Sequence, residues 1–446
     1  MIDPPLVEKQ LGMELYSTEC DGIGGQLKTR FEDFVVEEIN PDREVLTFQD
    51  WSDKEGRIFH VAGDKNRFIT LTVQKMGIST MSVATILASS LGLPRNLVTY
   101  AGLKDKRAVT IQRMSVPSRV ADEMRSLDLS HIEMRDPFYT RHPIQIGDLW
   151  GNQFTIILRN LDAEIEQARE IAEEIKHRPL LNYFGIQRFG LSRPSTHLAG
   201  KFLITRDFEN VVKTILCTPS DYESDELRDA RQKLTDDLTP NEDIIEHFPK
   251  DLNYERTILH ELLKHPDDYE RAVLKIEPRI LTLMVHSFQS YLFNRFLSAR
   301  VREGMSIIDP EPGDFLIDLN VTHSGRDSWL FTTDQSLIER REQVAKEGFG
   351  LALPVPGYAT RTPPSKQSEI LKQILRDENI RLLDFRNSKV KALDSPGGLH
   401  LASIAVPDLI TSEVEDGLKL KFQLRKGSYA TIVLREFMKN HPINRI

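Results

Sequence analysis

The sequence has few cysteines and no long hydrophobic segment, and both absences restrict the kinds of protein it can encode. Its two cysteines, Cys20 and Cys217, are too few for a disulfide framework and do not form a CxxC pair. No run of about 18 apolar residues is present, so no transmembrane helix is predicted. The first 30 residues contain acidic side chains and no apolar core, so no signal peptide is predicted either. We expect a cytoplasmic globular protein of 446 residues that does not associate with membranes.

Motifs for metal, nucleotide and acyl-enzyme chemistry are also missing. The 12 histidines are scattered, and His260 and His265 are one residue too far apart for the zinc motif HExxH. No Walker A loop or GxSxG turn is present, and residues 22–25 (GIGG) are too short for a dinucleotide fingerprint. We therefore expect no metal and no small-molecule cofactor.

The net charge of −9 is unevenly distributed along the chain. Residues 221–270 carry 16 acidic and six basic side chains, so this segment alone has a charge of −10. Between Arg95 and Arg119, by contrast, six basic residues accompany a single acidic one, Asp105. A local basic surface is what phosphate binding requires, whatever the charge of the whole chain. The charge pattern alone leaves a solvated charged loop as an open alternative.

Strand-like and helix-like patterns are both present, which indicates an α+β class. The pattern predicts strands over 34–39, 108–116, 153–158 and 418–424, and helices over 81–91, 163–176, 281–301 and 428–438. The helix over 281–301 is so rich in apolar residues that it must be largely buried. Residues 102–107 then lie on a loop between a helix and a strand, where neighbouring elements can hold a functional side chain in place.

Three stretches are dense in residue types that take part in catalysis or RNA binding, namely 100–112 (YAGLKDKRAVTIQ), 182–190 (NYFGIQRFG) and 424–431 (LRKGSYAT). In the first, Asp105 lies among three cationic residues, which favour an ionised carboxylate able to act as nucleophile or base. The aromatic residues and Arg188 of the second suit base stacking and phosphate contact, and the third presents Tyr429 on a basic turn. The residue types alone also fit a salt-bridged loop for the first stretch and a packed core loop for the second.

These three stretches, in this order, resemble the signature motifs of the tRNA pseudouridine synthase D (TruD) family. Residues 28–37 (KTRFEDFVVE) resemble the family's opening strand motif, with Phe31 where a proline is common. Residues 151–154 (GNQF) and 287–294 (SFQSYLFN) extend the match, which runs from about residue 25 to 440. The length of the chain is typical of the larger archaeal and eukaryotic members of this family.

The resemblance implies an enzyme that flips a uridine out of structured tRNA and isomerises it to pseudouridine, with uridine-13 of the D arm as the expected site. It also implies a mixed, largely antiparallel catalytic sheet with flanking helices, interrupted by a mainly helical α/β insertion called the TRUD domain. We therefore expect the catalytic domain in residues 1–180 and 391–446 and the TRUD insertion in residues 181–390. The expected partner is tRNA, bound by a monomer.

The family's essential aspartate corresponds by this resemblance to Asp105. The resemblance implies a uridine pocket formed by Phe34, Asn152 and Tyr429, with Lys28 beside the catalytic acid. Basic residues around the cleft are expected to hold phosphates of the RNA, namely Lys104, Lys106, Arg107, Arg188 and Lys426. Whether Asp105 attacks the sugar, attacks the base or removes a sugar proton stays open. The choice between packing and proton transfer for Tyr429 stays open as well.

Two other functions remain as alternatives to a pseudouridine synthase. A protein that kept the fold but only binds RNA, or serves as an RNA chaperone, would not need a lone acid among the bases of 104–107. A methyltransferase would carry a glycine-rich cofactor loop after its first strand, and the sequence has none. The TRUD insertion is either a lid or a reader of tRNA shape, and we expect its acidic segment, residues 221–270, to face away from RNA.

Overall fold

The structure, a computed structural model, describes residues 2–51, 60–320, 329–346 and 348–445. Its strands are β1 (Gly24–Gln26), β2 (Phe34–Ile39), β3 (Phe68–Met76), β4 (Thr99–Tyr100), β5 (Val109–Pro117), β6 (Ile132–Thr140), β7 (Gly151–Leu161), β8 (Leu180–Leu181), β9 (Phe315–Asp318), β10 (Trp329–Phe331), β11 (Phe349–Val355), β12 (Gly398–Leu401), β13 (Ser403–Ile404), β14 (Ile410–Val414) and β15 (Gly417–Arg425). Its helices are α1 (Leu6–Gln10), α2 (Thr80–Ser90), α3 (Ala121–Met124), α4 (Ile165–His177), α5 (Thr196–Thr205), α6 (Phe208–Leu216), α7 (Asp225–Asp236), α8 (Glu242–Glu246), α9 (Asn253–Lys264), α10 (Tyr269–Leu274), α11 (Pro278–Arg302), α12 (Leu337–Ala345), α13 (Lys366–Asp377) and α14 (Ala430–Met438). Within these residues, no helix combines the length and the apolar character needed to cross a membrane.

The described chain forms two compact units, each built from segments that are distant in sequence. The large-sheet unit comprises residues 17–51, 60–180, 320 and 404–445. The helical unit comprises residues 2–16, 181–319, 329–346 and 348–403. The functional domain limits expected after residues 180 and 390 stay a prediction.

The large-sheet unit is built on a mixed sheet with the strand order β14-β15-β7-β2-β5-β3-β6, to which β1 adds by pairing with β7 and β4 by pairing with β5. Among the described residues, neighbouring strands of this sheet run antiparallel except β2 and β5, which run parallel. This arrangement confirms the expected α+β class with a mixed, largely antiparallel sheet.

One hydrophobic core of this unit lies between the sheet and α2. On β3, Ile69, Leu71 and Val73 belong to this core, because every second side chain of a strand points to the same face. On α2 the residues that meet them, Val83 and Leu87, are one helical turn apart. The two periods bring one apolar face of each element together, and this packing fixes β3 and the start of α2 beside each other.

Most of the predicted elements are confirmed with small shifts of their ends. β2 begins and ends at the predicted residues, and the predicted helix over 81–91 is α2. The Ser79 hydroxyl caps α2 by accepting a hydrogen bond from the Ser82 amide at 3.0 Å. The remaining predicted elements correspond to β5, β7, β15, α4, α11 and α14. The placement of residues 102–107 after a helix is wrong, because β4 intervenes, and a two-residue strand has no period to detect.

The helical unit is arranged around α11, which packs against α5, α13 and β11. Its sheet has the order β10-β9-β11-β12, with antiparallel neighbours. Fourteen residues of α11 are buried, which confirms the expectation from its apolar composition. Polar residues of the helix are also satisfied inside the unit, since the Asn294 amide donates to the carbonyls of Leu11 and Phe184 at 3.1 and 2.9 Å.

The acidic segment, residues 221–270, belongs to the helical unit and contains α7, α8 and α9. Each of these helices has an acidic residue in its first turn. Carboxylates at that end interact favourably with the partial positive charge of the helix N-terminus. Part of the acidity therefore has a structural explanation, and the orientation of the segment relative to RNA stays a prediction.

Candidate active site

The loop that carries Asp105 connects β4 to β5 and is anchored by buried hydrogen bonds. The Thr80 hydroxyl, in the first turn of α2, accepts a hydrogen bond from the Lys104 amide at 2.9 Å and donates one to Gln112 Oε1 at 2.9 Å. The Gln112 amide in turn donates to the Gly102 carbonyl at 3.2 Å. A polar network satisfied in this way rigidifies the backbone on both sides of Asp105.

Asp105 forms an ion pair with Lys28. Lys28 Nζ lies 2.8 Å from Asp105 Oδ1, and the two side chains differ in exposure, 7% for the lysine and 39% for the aspartate. Lys28 adopts a left-handed backbone conformation, with φ at +56°, which costs roughly 1 kcal/mol for a residue with a Cβ. The cation is thus fixed in place beneath a carboxylate that remains open on its other side.

Phe34 begins β2, and its ring lies directly under the Lys28 ammonium of this ion pair. Lys28 Nζ lies 4.3 Å from the centroid of the Phe34 ring, a cation–π contact. The ring is 2% exposed and packs edge-on against Phe154 at 6.3 Å, and Phe154 stacks on Phe422 at 5.5 Å. Phe34 is therefore close to the candidate catalytic acid, and its side chain is held by the aromatic core of the sheet.

Asn152 is linked to the same loop through Lys104. Lys104 Nζ donates to Asn152 Oδ1 at 2.7 Å and lies 2.7 Å from Glu38 Oε2. Glu38 and Asn152 are directly opposite each other on β2 and β7. The second oxygen of Glu38 accepts a hydrogen bond from the Arg113 amide at 3.0 Å. Lys104 is thus buried and paired, which makes it part of the site's framework and not of a phosphate-binding surface.

Lys75 is a site residue that the sequence pattern does not reveal. It is fully buried on β3, and its Nζ donates to the main-chain carbonyl of Asp105 at 2.7 Å. Burial lowers the pKa of Lys75 to about 8, while the Asp105 carboxylate raises this pKa and Lys104 lowers it. The only signal in the sequence is a lysine near the end of a strand, which is an ordinary position for an exposed residue.

Lys426 and Tyr429 lie on the turn between β15 and α14. Lys426 Nζ donates to the Gly147 carbonyl at 2.9 Å, and partial burial lowers the pKa of Lys426. Tyr429 is 41% exposed and immediately precedes α14. Because Leu424 pairs with Asn152 across β15 and β7, this turn lies at the same end of β7 as Asn152.

The remaining cationic candidates fall in different places. Lys106 and Arg107 are exposed on the Asp105 loop, where they can reach a ligand. Arg188 belongs to the helical unit, and its Nε donates to Ser290 Oγ at 3.3 Å. The structure therefore brings together six residues of the large-sheet unit, namely Lys28, Phe34, Lys75, Lys104, Asp105 and Asn152.

The aromatic residues of the stretch 182–190 are not available for base stacking. Tyr183 and Phe189 are fully buried, and Phe184 is 9% exposed. The Tyr183 hydroxyl lies 2.7 Å from Ser298 Oγ on α11. Of the two interpretations that the residue types leave open, the packed core loop is therefore the one that the structure has.

Histidines of the helical unit are packed among aromatic rings. Burial lowers the pKa of His197 and of His400 to about 4, so both are neutral at ordinary pH. His400 stacks on Phe184 at 4.4 Å, and His197 lies 4.9 Å from the Tyr291 ring. In the part of the chain that the structure describes, no group of three histidine, cysteine, aspartate or glutamate side chains is placed to hold a metal.

Comparisons with known proteins bear on the whole chain. The model of the family described as "tRNA pseudouridine synthase D (TruD)" matches residues 10–437. A Methanosarcina barkeri protein named "Probable tRNA pseudouridine synthase D" is 31% identical over 98% of this chain and 99% of its own length. One of the same name from Archaeoglobus fulgidus is 32% identical over 97% and 99%.

Structural similarity agrees with the sequence comparisons. A crystal structure of a Methanosarcina mazei protein assigned to tRNA pseudouridine synthase D superposes with a TM-score of 0.81 and 29% sequence identity. The match covers 99% of this chain and 100% of the other. These relatives are archaeal and of similar length, which confirms the larger type of member that the sequence indicates. The chain belongs to the tRNA pseudouridine synthase D (TruD) family.

Proposed function

We propose that this protein isomerises uridine to pseudouridine in tRNA, at uridine-13 of the D arm, and that Asp105 is the catalytic carboxylate. The observation that supports this proposal best is the pairing of a buried Lys28 with a partly open Asp105 at 2.8 Å on an anchored loop. A surface salt bridge does not need a rigid loop, a strained partner and a solvent-facing carboxylate at once.

The reaction breaks the bond between N1 of uracil and C1′ of ribose, turns the base, and joins C5 to C1′. The proton on C5 leaves and N1 gains one, so the substrate and product have the same composition. An ionised carboxylate can serve this reaction by attacking the sugar, attacking the ring, or removing a sugar proton. Lys28 keeps Asp105 oriented in each of these three routes, and the choice among them remains open.

Asn152 is suited to hold the edge of the detached uracil. A lysine ammonium can only donate, so Lys104 must face the Asn152 carbonyl oxygen, and this contact fixes the direction of the amide. The NH2 group of Asn152 then points away from Lys104, and no hydrogen bond from it is present among the described residues. We assign this group to an oxygen of the uracil ring.

Tyr429 and the exposed cations complete the proposed substrate site. Tyr429 is 41% exposed and can cover a flipped base, which is the role that the family resemblance implies for it. Lys106 and Arg107 extend from the Asp105 loop, where they would contact phosphates beside the flipped nucleotide. The same proposal places the protein in the cytoplasm with its tRNA, as a monomer.

The test is to incubate the purified protein with an unmodified tRNA transcript and to map pseudouridine by carbodiimide-stop sequencing. We expect one new stop at uridine-13, absent with Asp105→Asn, which should fold and bind tRNA normally. Asp122→Asn is the matched control, because Asp122 is an 89% exposed aspartate of the same unit. Turnover near that of the wild type in Asp105→Asn would remove Asp105 from the mechanism. Binding without any stop would favour an RNA-binding protein that only shares the fold.

A further inference from the structure

Lys75 is unusual because its ammonium group is buried without a carboxylate to neutralise it directly. The side chain is fully buried on β3, which is paired on both sides, with β5 and β6. Among the described residues, the Lys75 ammonium forms no ion pair within 4.0 Å, and its one hydrogen bond is the 2.7 Å contact with the Asp105 carbonyl. Lys28 and Lys104, the other two lysines of the site, each contact a carboxylate.

Burying an ammonium group in this way is unfavourable for folding. The lowered pKa of Lys75, about 8, expresses the same cost, because burial destabilises the charged form. An apolar side chain of similar length at this position would avoid the cost, so stability alone does not account for a lysine here. Perturbed buried groups that contact a site are candidates for function.

The three lysines contact three different parts of the site. Lys28 contacts the carboxylate of Asp105, Lys104 contacts Asn152 and Glu38, and Lys75 contacts the main chain of Asp105. The direction of a side chain depends on the orientation of its own peptide units. A donor to the Asp105 carbonyl therefore restricts where the carboxylate can point, independently of Lys28.

We propose that Lys75 is a positioning residue for Asp105, whose ammonium holds the Asp105 carbonyl and thereby directs the carboxylate toward the uridine. This inference rests on the proposed function and extends it to a residue that does not touch the substrate. A misplacement of a reacting group by about 1 Å can lower a rate by about 100-fold, so such a residue can strongly affect turnover.

The proposal has a consequence for pH dependence. In the folded protein, raising the pH through about 8 converts Lys75 from the ammonium to the amine, which weakens its hydrogen bond and removes its charge. The charged groups that act on it are Asp105, which favours the ammonium, and Lys104, which disfavours it. We therefore expect kcat to decline as the pH rises above about 8.

The first experiment compares wild type and Lys75→Met on an unmodified tRNA transcript from pH 6 to 10. We expect kcat to fall by about 100-fold at pH 7, the Kd for tRNA to stay within about twofold, and the alkaline decline to disappear. The Tm should be equal or higher, because a buried charge has been removed. Lys421→Met, which changes an exposed lysine of the same sheet, is the control and should resemble the wild type.

Two results would overturn the proposal. One is Lys75→Met activity within about threefold of the wild type. The other is a lower Tm together with weaker tRNA binding and an unchanged alkaline decline, which would indicate a purely structural lysine.

A second measurement requires neither enzymatic activity nor a folded Lys75→Met variant. NMR of isotope-labelled lysine in wild type and Asp105→Asn should give a Lys75 pKa near 8 in the wild type and a lower one in the variant, because the Asp105 carboxylate raises it. An unchanged Lys75 pKa in Asp105→Asn would refute the proposal, because it would place the Lys75 ammonium away from Asp105. Absence of pseudouridine with any RNA would refute the proposed function instead, and the NMR result would still report on the Lys75 contact.

Discussion

Both units of this protein bury charged side chains, but two arginine pairs of the helical unit are matched more completely than the lysines of the candidate site in the large-sheet unit. In the helical unit, Arg300 and Asp314 are both fully buried and joined by two hydrogen bonds, of 2.6 and 2.8 Å. Arg231 pairs with Glu223 in the same two-pronged way, at 2.8 and 2.9 Å. Each guanidinium meets one carboxylate, and their shapes match.

The large-sheet unit has three buried lysines around two carboxylates, and one of these carboxylates is partly exposed. Lysine is a point charge on a flexible stem, so it does not lock a carboxylate as an arginine does. Lys28, Lys75 and Lys104 instead contact separate atoms of one loop and its neighbours. The difference teaches that fully matched buried pairs support the architecture, whereas an incompletely matched group beside solvent marks a site for chemistry.

The largest expected effect tests the architectural side of this comparison. Arg300→Met leaves Asp314 buried without its partner, so we expect the free energy of unfolding to fall by about 3–5 kcal/mol. Urea unfolding of Arg300→Met and of Arg300→Met/Asp314→Leu measures the free energy of unfolding. The double variant should recover at least half of the stability that the single variant loses. A loss below about 1 kcal/mol in the single variant would show that the pair does not stabilise the unit.

At the ion pair of the site, we expect a large loss of activity and only a small loss of stability. Lys28→Met should lower kcat by about 100-fold, because Asp105 loses the contact that orients it. The free energy of unfolding should change by less than about 1 kcal/mol, since the Asp105 carboxylate left without its partner is 39% exposed and can be hydrated. Single-turnover kinetics and urea unfolding of the same variant give both values. A stability loss as large as that of Arg300→Met would abolish the distinction between the two units.

Removing the Thr80 hydroxyl, which anchors the Asp105 loop, should have a moderate effect on both stability and kcat. Thr80→Val keeps the shape but leaves the Lys104 amide and Gln112 Oε1 without their partner. We expect a loss of about 1–3 kcal/mol in stability and a reduction of kcat by roughly tenfold. Thr85→Val is the control, because this exposed threonine of α2 only donates to the Met81 carbonyl. Equal effects of the two variants would argue against a role of Thr80 in holding the loop.

The smallest effect is expected in the acidic segment of the helical unit. Glu226→Lys/Asp229→Lys reverses two exposed charges of α7, and we expect the Kd for tRNA to change by less than about twofold. Lys106→Glu/Arg107→Glu, on the Asp105 loop, should weaken binding and reduce its salt dependence. Titrations of the two double variants with tRNA at several salt concentrations measure both Kd values and their salt dependence. A tenfold change caused by the α7 variant would mean that this segment lies near the RNA.

Local patterns in the sequence carry most of the secondary structure and part of the site. The alternation over 34–39 and the helical spacing over 81–91 predict β2 and α2, and the apolar composition of 281–301 predicts a buried α11. The motif around Asp105 is contiguous, so its residues can be recognised without a structure. By contrast, β4 is too short to have a period, and the aromatic residues of 182–190 look the same whether they stack on bases or pack in a core.

What the sequence by itself determined is the family, the fold class and the candidate acid, since each depends on patterns and motifs whose residues are contiguous in the chain. Only the tertiary structure decided which residues surround that acid. Lys28 lies 77 residues from Asp105 and Lys75 lies 30 residues from it, and Glu38 joins the site from β2, opposite Asn152 on β7. Pairing of β2, β3, β5 and β7 brings these side chains together, because strand neighbours are set by packing of the whole sheet. The burial that lowers the pKa of Lys75 exists only once that sheet has formed.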